Sequence, residues 1–337
     1  MTPRRYIPLL AVAVTAVPAS ASAQAPATPT VTLQTAGTQT FERGLVAVAG
    51  DRVEGKATAA NAAPGSTLTL TFVQGGRTLR TVRQVLATGA GEAAGNVTRP
   101  PGLLTIRARV GAPGAAASSN GGSNAEDAAA TPSALARVTL LEPSSTLGAR
   151  GLRVRFLQRR LAAMGFAIRL TGVHDFSTSN AILAHRKVLG LPRVGWSDAP
   201  EFRAAAAGRG AYTVRYPLAG RHVEGDLTKQ VLALIEPGGR IAAVYHTSSG
   251  RPRFKTPLGV HTFWRKELGL NDRGMLHSVY FTHDKTSKPT RPACAIHGYF
   301  VVPTFNNSHC CFRVPLADAL TIYRWTRLGE RIYVYRS

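Results

Sequence analysis

Cys294, Cys310 and Cys311, the three cysteines of the chain, fall in one short stretch with His297 and His309. A cysteine nucleophile reacts as its thiolate, so it needs a base near neutral pH. It also needs backbone N–H donors for the oxyanion it creates. Ile296-His297-Gly298, followed by Ser308-His309-Cys310-Cys311-Phe312-Arg313, offers a thiol, an imidazole and a turn within about twenty residues. Zinc is the competing chemistry for mixed Cys and His, but the spacing fits no pair of Cys-x-x-Cys knuckles, so no metal is expected. An odd cysteine count suggests one disulfide and one free thiol. His246, His261, His277 and His283 have no comparable frame and read as ordinary strand or loop histidines.

The elements that must position these groups lie in the C-terminal part of the chain. Val231–Ile235 reads as a buried strand, turned at Pro237-Gly238-Gly239, with Ile241–His246 as its return. Further strands are expected at Val260–Trp264, Ser278–Phe281 and Ala293–His297. Pro315–Trp325 has Pro in its first turn and Leu316, Leu320 and Tyr323 on one face, which predicts a helix. Gly329 stops it, and Arg331–Tyr335 closes as a strand.

Upstream, the chain changes character twice. Residues 30–142 carry period-two segments: Val31–Leu33, Ser66–Val73, Leu104–Val110 and Ala136–Leu140. Leu45–Ala49 is a continuous apolar run, and Gly and Pro punctuate the whole. This predicts an antiparallel sandwich. Ala115–Ser133 is rich in Ala, Ser, Gly and Asn and reads as a loop or linker. Residues 146–200 instead show helical spacing, in Leu152–Met164 and Ser177–Val188, with Gly165 and Gly190 as stops. Phe202–Arg221 reads as a connector. The fold class expected is multidomain and mainly β: an N-terminal sandwich, a small helical unit and a β-rich C-terminal unit at 221–336.

Residues 1–23 read as an export signal. Arg4 and Arg5 precede the apolar run Tyr6–Val17, and Ala21-Ser22-Ala23 offers a small-residue cleavage site. The run is shorter than the ~20 residues of a membrane span, and no later segment is apolar enough to cross a bilayer. An uncleaved anchor is the alternative. The expected location is extracytoplasmic, in cell wall or periplasm. The net charge is +23, and 29 Lys and Arg against 11 Asp and Glu lie beyond Glu142. Such a surface suits an anionic polymer, and export argues against nucleic acid.

His297-Gly298 with Ser308-His309-x-Cys311-x-Arg313 resembles the signature of the L,D-transpeptidases (YkuD-type), in which Gly stands where this chain has Cys310. Asp226–Gln230, Ser248-Ser249-Gly250, Thr256-Pro257-Leu258-Gly259, Met275 and Tyr280-Phe281 extend the resemblance over about 221–335. It implies an acyl-enzyme that forms 3→3 peptidoglycan cross-links with release of D-alanine and needs no cofactor. Cys311 would be the nucleophile and His297 the base, whose ion-pair form would lower the thiol pKa. Cys310, His309, Ser308 and Gly298 would shape the loop and oxyanion site. Arg313 and Tyr280 would meet substrate. Peptidoglycan stem peptides would be the partner. An L,D-carboxypeptidase or a non-catalytic wall-binding protein are the alternatives. A negative φ would let Cys310 replace the Gly, and a Cys294–Cys310 disulfide would leave Cys311 free. Gly151, Val154, Leu157, Gln158, Leu161, Gly165, Thr171, Gly172 and Val173 resemble the small peptidoglycan-binding domain, expected to act as a separable anchor. Residues 30–142 resemble immunoglobulin-like modules of bacterial surface proteins.

Overall fold

A computed structural model describes residues 27–114, 131–282 and 293–337. The signal at 1–23, most of the linker at 115–133 and His283 lie outside the described residues.

The N-terminal part is β1 (Thr30–Ala36), β2 (Gln39–Phe41), β3 (Gly44–Val48), β4 (Arg52–Ala60), β5 (Ser66–Gln74), β6 (Arg77–Leu86), β7 (Gly91–Thr98), β8 (Gly102–Gly111) and β9 (Ser133–Leu141). They form a three-stranded sheet, β1-β4-β7, and a six-stranded sheet, β2-β3-β9-β8-β5-β6. Alternation holds where the sequence showed it: Leu68, Leu70 and Phe72 of β5 are buried, and the threonines between them are partly exposed. β4 and β7 escaped the sequence reading because they bury small residues, Ala57, Ala59 and Ala93, with low strand propensity. The reason is steric. Phe72 fills the space over Gly55 and Gly95, and a Cβ on either glycine would meet its ring at 3.2 Å or less.

The middle of the chain is α1 (Leu152–Ala163), α2 (Phe176–Leu189) and α3 (Ala199–Ala206). Asp175 caps α2 by accepting from Thr178 N–H, and Gly190 ends it at φ 72. The third helix takes up part of the stretch that reads as a connector. Asp198 caps it, accepting from Glu201 N–H, with proline in its first turn. Gln158, prominent in the sequence motif, is fully buried. Its amide donates to Val173 O and Thr178 Oγ1 and accepts from Gly172 N–H, so it holds the turn between the first two helices.

The C-terminal part is β10 (His222–Asp226), β11 (Val231–Glu236), β12 (Arg240–His246), β13 (Gly259–Thr262), β14 (Arg265–Leu270), β15 (Leu276–Tyr280), β16 (Ala295–Tyr299), β17 (Phe312–Pro315), α4 (Leu316–Trp325) and β18 (Arg331–Tyr335). One sheet runs β12-β11-β10-β18-β13 and the other β14-β15-β16-β17. Phe312, Val279, Ile296, Val223, Ile332 and Ala319 share the core between them. Gly225 of β10 is needed there, since a Cβ would lie 2.4 Å from the Phe312 ring. Buried Glu224 accepts from Tyr212 Oη and from the N–H groups of Arg215 and Tyr216, tying the incoming chain to the sheet.

The helical unit is not a separate bead. Phe156, Leu161, Phe166, Ile182 and Phe202 form one apolar core with Val231, Ala233, Ile235 and Val244 of the C-terminal sheet, and with Val46 and Val48 of β3. This differs from the expected separable anchor: the outer face of β11 and β12 is itself apolar and has to be covered. Excising 148–206 is therefore expected to leave that face bare and the remaining fragment insoluble or without a cooperative unfolding transition. A soluble 207–337 fragment with a sharp thermal transition would contradict this.

Candidate active site

β16 and β17 are parallel neighbours, with Ile296 opposite Phe312 and His297 opposite Arg313. Side chains alternate along each strand, so this register sorts them. Cys294, Ile296, Cys310, Phe312 and Val314 enter the core between the sheets. Ala295 and Cys311 pack on the other side with Met275 and Tyr280. His297 and Arg313 follow Ala295 and Cys311 by two residues each, which puts the imidazole roughly 7 Å further along on the same face. That face therefore carries thiol, imidazole and guanidinium together.

Cys311 is buried, and its Sγ accepts from Ala295 N–H at 3.4 Å. Burial raises the thiol pKa, against smaller opposing effects of that N–H and of Arg313. His297 is also buried, and burial pulls its pKa down to about 4. Its Nδ1 lies 3.0 Å from Gly298 O. A proton on Nδ1 makes that bond and leaves Nε2 as the basic nitrogen. Thiol and imidazole are thus both held neutral. The expected resting ion pair is not favoured, because each charged form would lose its hydration in this site.

Cys310 adopts φ 92, in the left-handed region. The negative φ expected of a cysteine there is not what the fold uses. Such a conformation costs on the order of 1–3 kcal/mol for a residue with a Cβ. Two ties hold it. A disulfide joins Cys310 to Cys294, with Cα atoms 5.4 Å apart, and Thr256 Oγ1 donates to Cys310 O at 2.9 Å. Gly250 lies under this turn. A Cβ there would meet Phe254 O at 2.1 Å and the Cys310 Cα at 2.9 Å.

The remaining sequence candidates have distinct places. Ser308 is buried and its hydroxyl donates to Cys311 O, closing the turn. His309 is exposed; Arg251 donates to its Nε2 at 2.7 Å and the Phe254 ring lies beside it. Partial burial, then the nearby Arg251, lower its pKa. Gly298 has a different role from passing close to the base. It lies against α4, where a Cβ would meet Ala319 Cβ at 2.8 Å, so it lets the helix seat on the strand. Arg313 stacks over Tyr299, 4.1 Å from the ring centre, and donates to Asn307 O; its Nε is buried without a hydrogen-bond partner among the described residues. Tyr280 packs beside Cys311, and its hydroxyl donates to Glu267 at 2.7 Å. Burial first, then Glu267, push its pKa up to about 12. No group of three or more His, Cys, Asp or Glu that could hold a metal occurs among the described residues.

Residues 220–334 match the family described as the L,D-transpeptidase catalytic domain (YkuD). This part of the chain is an L,D-transpeptidase catalytic domain. The L,D-transpeptidase of Xylanimonas cellulosilytica (residues 123–326) is 28% identical, with a TM-score of 0.51, over 58% of this chain and 98% of that one. That share is wider than the matched domain alone could fill. The L,D-transpeptidase of Stackebrandtia nassauensis is 20% identical over 57% of this chain and 95% of that one, with a TM-score of 0.35. One from Mycobacterium smegmatis is 21% identical over 35% and 59%, with a TM-score of 0.29. No curated protein matches the chain.

Sequence reading missed Glu267, Lys187 and Arg193 around the candidate site. Glu267 anchors Tyr280. Lys187 donates to Gln230 O, His246 Nδ1 and Thr247 O, and Arg193 donates to Thr228 O and Thr304 O. Lys187 left one trace in the sequence: it stands three residues after Ala184 and six after Ala181, on the stripe that the second helix buries.

Two outcomes are expected here. Thiol titration of the unfolded, unreduced protein should find one reactive cysteine, with two more after reduction; three before reduction would contradict the bridge. Stability should also respond to acid. His297 and His246, with native pKa values of about 4 and about 3, are neutral when folded and bind protons more readily when unfolded. Their contribution is complete above the ordinary histidine pKa of about 6.5 and is lost as pH falls from there through about 4 to 3. Denaturant midpoints between pH 7 and 3 measure it, and His297→Gln should flatten part of that slope.

Proposed function

We propose that the protein is a cell-wall L,D-transpeptidase that forms 3→3 cross-links through an acyl-enzyme on Cys311. The observation that carries this is the shared face of Cys311 and His297 inside a domain of that family. The Cys311 sulfur attacks the carbonyl of the L-centre that precedes the terminal D-residue of a stem tetrapeptide. His297 takes the thiol proton as the C–S bond forms and gives it to the leaving amine as the C–N bond breaks. D-alanine departs and a thioester remains. The side-chain amine of a second stem then attacks this thioester, the C–S bond breaks, and the amine's proton returns through His297 to the thiol. The N–H groups of the Cys310–Cys311 turn hold the oxyanion.

A neutral thiol–imidazole pair suits this scheme. Proton transfer accompanies attack, and the charge that develops is met by donors already in place. The unpartnered Nε of Arg313 supports a role for that side chain toward a substrate carboxylate. The disulfide, together with the export pattern of residues 1–23, supports an extracytoplasmic setting. The basic excess and the resemblance of the helical unit to peptidoglycan-binding domains support retention on the anionic wall. Passing the acyl group to water in place of an amine would make the same site an L,D-carboxypeptidase; the acceptor separates the two.

Cys311→Ala is expected to abolish both the covalent adduct with a carbapenem and the formation of cross-linked muropeptides, while leaving the fold intact. Mass spectrometry of the protein and of digested muropeptides reads both. An adduct that persists in Cys311→Ala would move the nucleophile elsewhere. Trimmed tripeptides without dimers would favour the carboxypeptidase. His297→Ala should slow acylation by roughly 10²–10⁴-fold. The acid limb of the wild-type rate should lie near the His297 value of about 4, well below that of a free imidazole. A limb near pH 6.5 would assign the base to a solvated histidine.

A further inference from the structure

We infer that Lys187 and Arg193, which belong to the helical unit, are positioning residues for the nucleophile turn of the transpeptidase domain, and that the catalytic unit therefore includes the helical unit. The inference rests on the reading of Cys311 as nucleophile. The connection from β16 to the turn runs through residues 300–307. Its large side chains anchor it poorly: Phe300, Val301 and Phe305 are 75%, 66% and 56% exposed. Its backbone carbonyls do the anchoring, and two of the holds come from the helical unit. Arg193 donates through Nη1 to Thr304 O at 2.9 Å and through Nη2 to Thr228 O at 2.8 Å. Lys187 acts one residue removed. Its Nζ donates to His246 Nδ1 at 2.7 Å, and His246 Nε2 donates to Val302 O at 3.0 Å.

The other two bonds of Lys187 lead to the two ends of the motif. Nζ donates to Gln230 O and to Thr247 O, both at 2.8 Å. Gln230 has φ 57, uncommon for a residue with a side chain, and its amide grips Ser249 twice, at Oγ and N–H. Ser249 O then accepts from Ser308 N–H at 2.9 Å. On the second path, Thr247 Oγ1 donates to Arg313 O at 2.7 Å, and Ser248 exchanges both backbone bonds with Arg313. Ser308 and Arg313 bracket Cys311. One buried ammonium with three acceptors thus fixes the chain before the nucleophile, the chain after it and the loop that leads to it.

The chemistry favours position over stability as the return on this arrangement. Lys187 is 3% exposed, and burying an ammonium carries a desolvation cost that a leucine on the same stripe would avoid. The ammonium supplies what a leucine cannot, three directed donors at one point. Burial lowers its pKa, and His246 stays neutral beside it, with burial as the main cause and the Lys187 charge as the second. A neutral His246 protonated on Nε2 is the only form that accepts from Lys187 and donates to Val302 together.

The test uses the full chain with Arg193→Ala, Arg193→Lys and Lys187→Met. Three quantities are read: the thermal midpoint, the rate of carbapenem acylation, and the rate of alkylation of Cys311 by iodoacetamide. Arg193 is only half-buried, so Arg193→Ala should keep its midpoint within a few degrees. Its acylation should nevertheless fall roughly tenfold or more, as misplacement of a reacting group does. Alkylation, which needs access and no oxyanion site, should rise several-fold as the turn loosens. Arg193→Lys should recover most of the acylation rate, and Lys187→Met should show the larger effect of the two positions. Unchanged acylation and alkylation in a folded Arg193→Ala would overturn the inference, whether or not Lys187→Met folds. If the wild-type protein is not acylated at all, the proposed function fails and alkylation alone decides: a rise in Arg193→Ala supports the positioning role, and no rise overturns it.

Discussion

The parallel pairing of β16 with β17 is the constraint on which the site depends. Because His297 lies opposite Arg313, strand alternation sends Cys311, His297 and Arg313 to one face. The same alternation sends Cys294 and Cys310 to the other, where they meet in a disulfide. A shift of one residue would reverse every side chain and put the thiol in the core. Adjacent cysteines thus have opposite placements: Cys310 closes a disulfide in the core and Cys311 lies as a free thiol on the other face. The bridge closes a short loop, with a sequence separation of 16, and restrains the unfolded chain by roughly 3 kcal/mol. That is of the same order as the backbone cost of Cys310 at positive φ.

Burial governs the electrostatics of this face. A resting thiolate–imidazolium ion pair would need a solvated or counter-charged imidazole, and His297 is buried with no carboxylate bonded to it among the described residues. Arg313 nearby makes a cationic imidazole less favourable still. Thiol and imidazole are both neutral, with the ring oriented by the carbonyl of Gly298. Tyr280 is locked to Glu267 and serves as wall more than as a free hydroxyl. Among the described residues, Arg313 Nε is a buried polar group without a hydrogen-bond partner.

Around that face the molecule is continuous. The helical unit covers the outer side of β11 and β12, and the first core residues of the sandwich reach into the same cluster. Polar contacts follow the apolar ones. Arg203 pairs with Asp51 of the sandwich, and Arg155 pairs with Glu42. Such exposed pairs add little stability each, but they orient units that the shared core already joins.

Motif register, period-two strands and helix stops were legible in residues 30–336 because they are local. The resemblance of the motif pairs His297 with Cys311, Gly190 closes its helix, and alternation marks β5 and β8. The sequence determined by itself which residue types were available for thiol chemistry, and that a sandwich, a helical unit and a β-rich unit follow in order. Elements built on small residues, β4 and β7, were silent, since Phe72, Ile106 and Val82 on other strands explain Gly55 and Gly95. Long-range contacts decided the rest. The φ of Cys310, the neutrality of His297 and Cys311, the seating of Gly298 on a helix and the hold of Lys187 on Gln230, His246 and Thr247 all arise from groups far apart in the chain. Burial and directed hydrogen bonds are properties of an assembled interior, and no local pattern of residues encodes them.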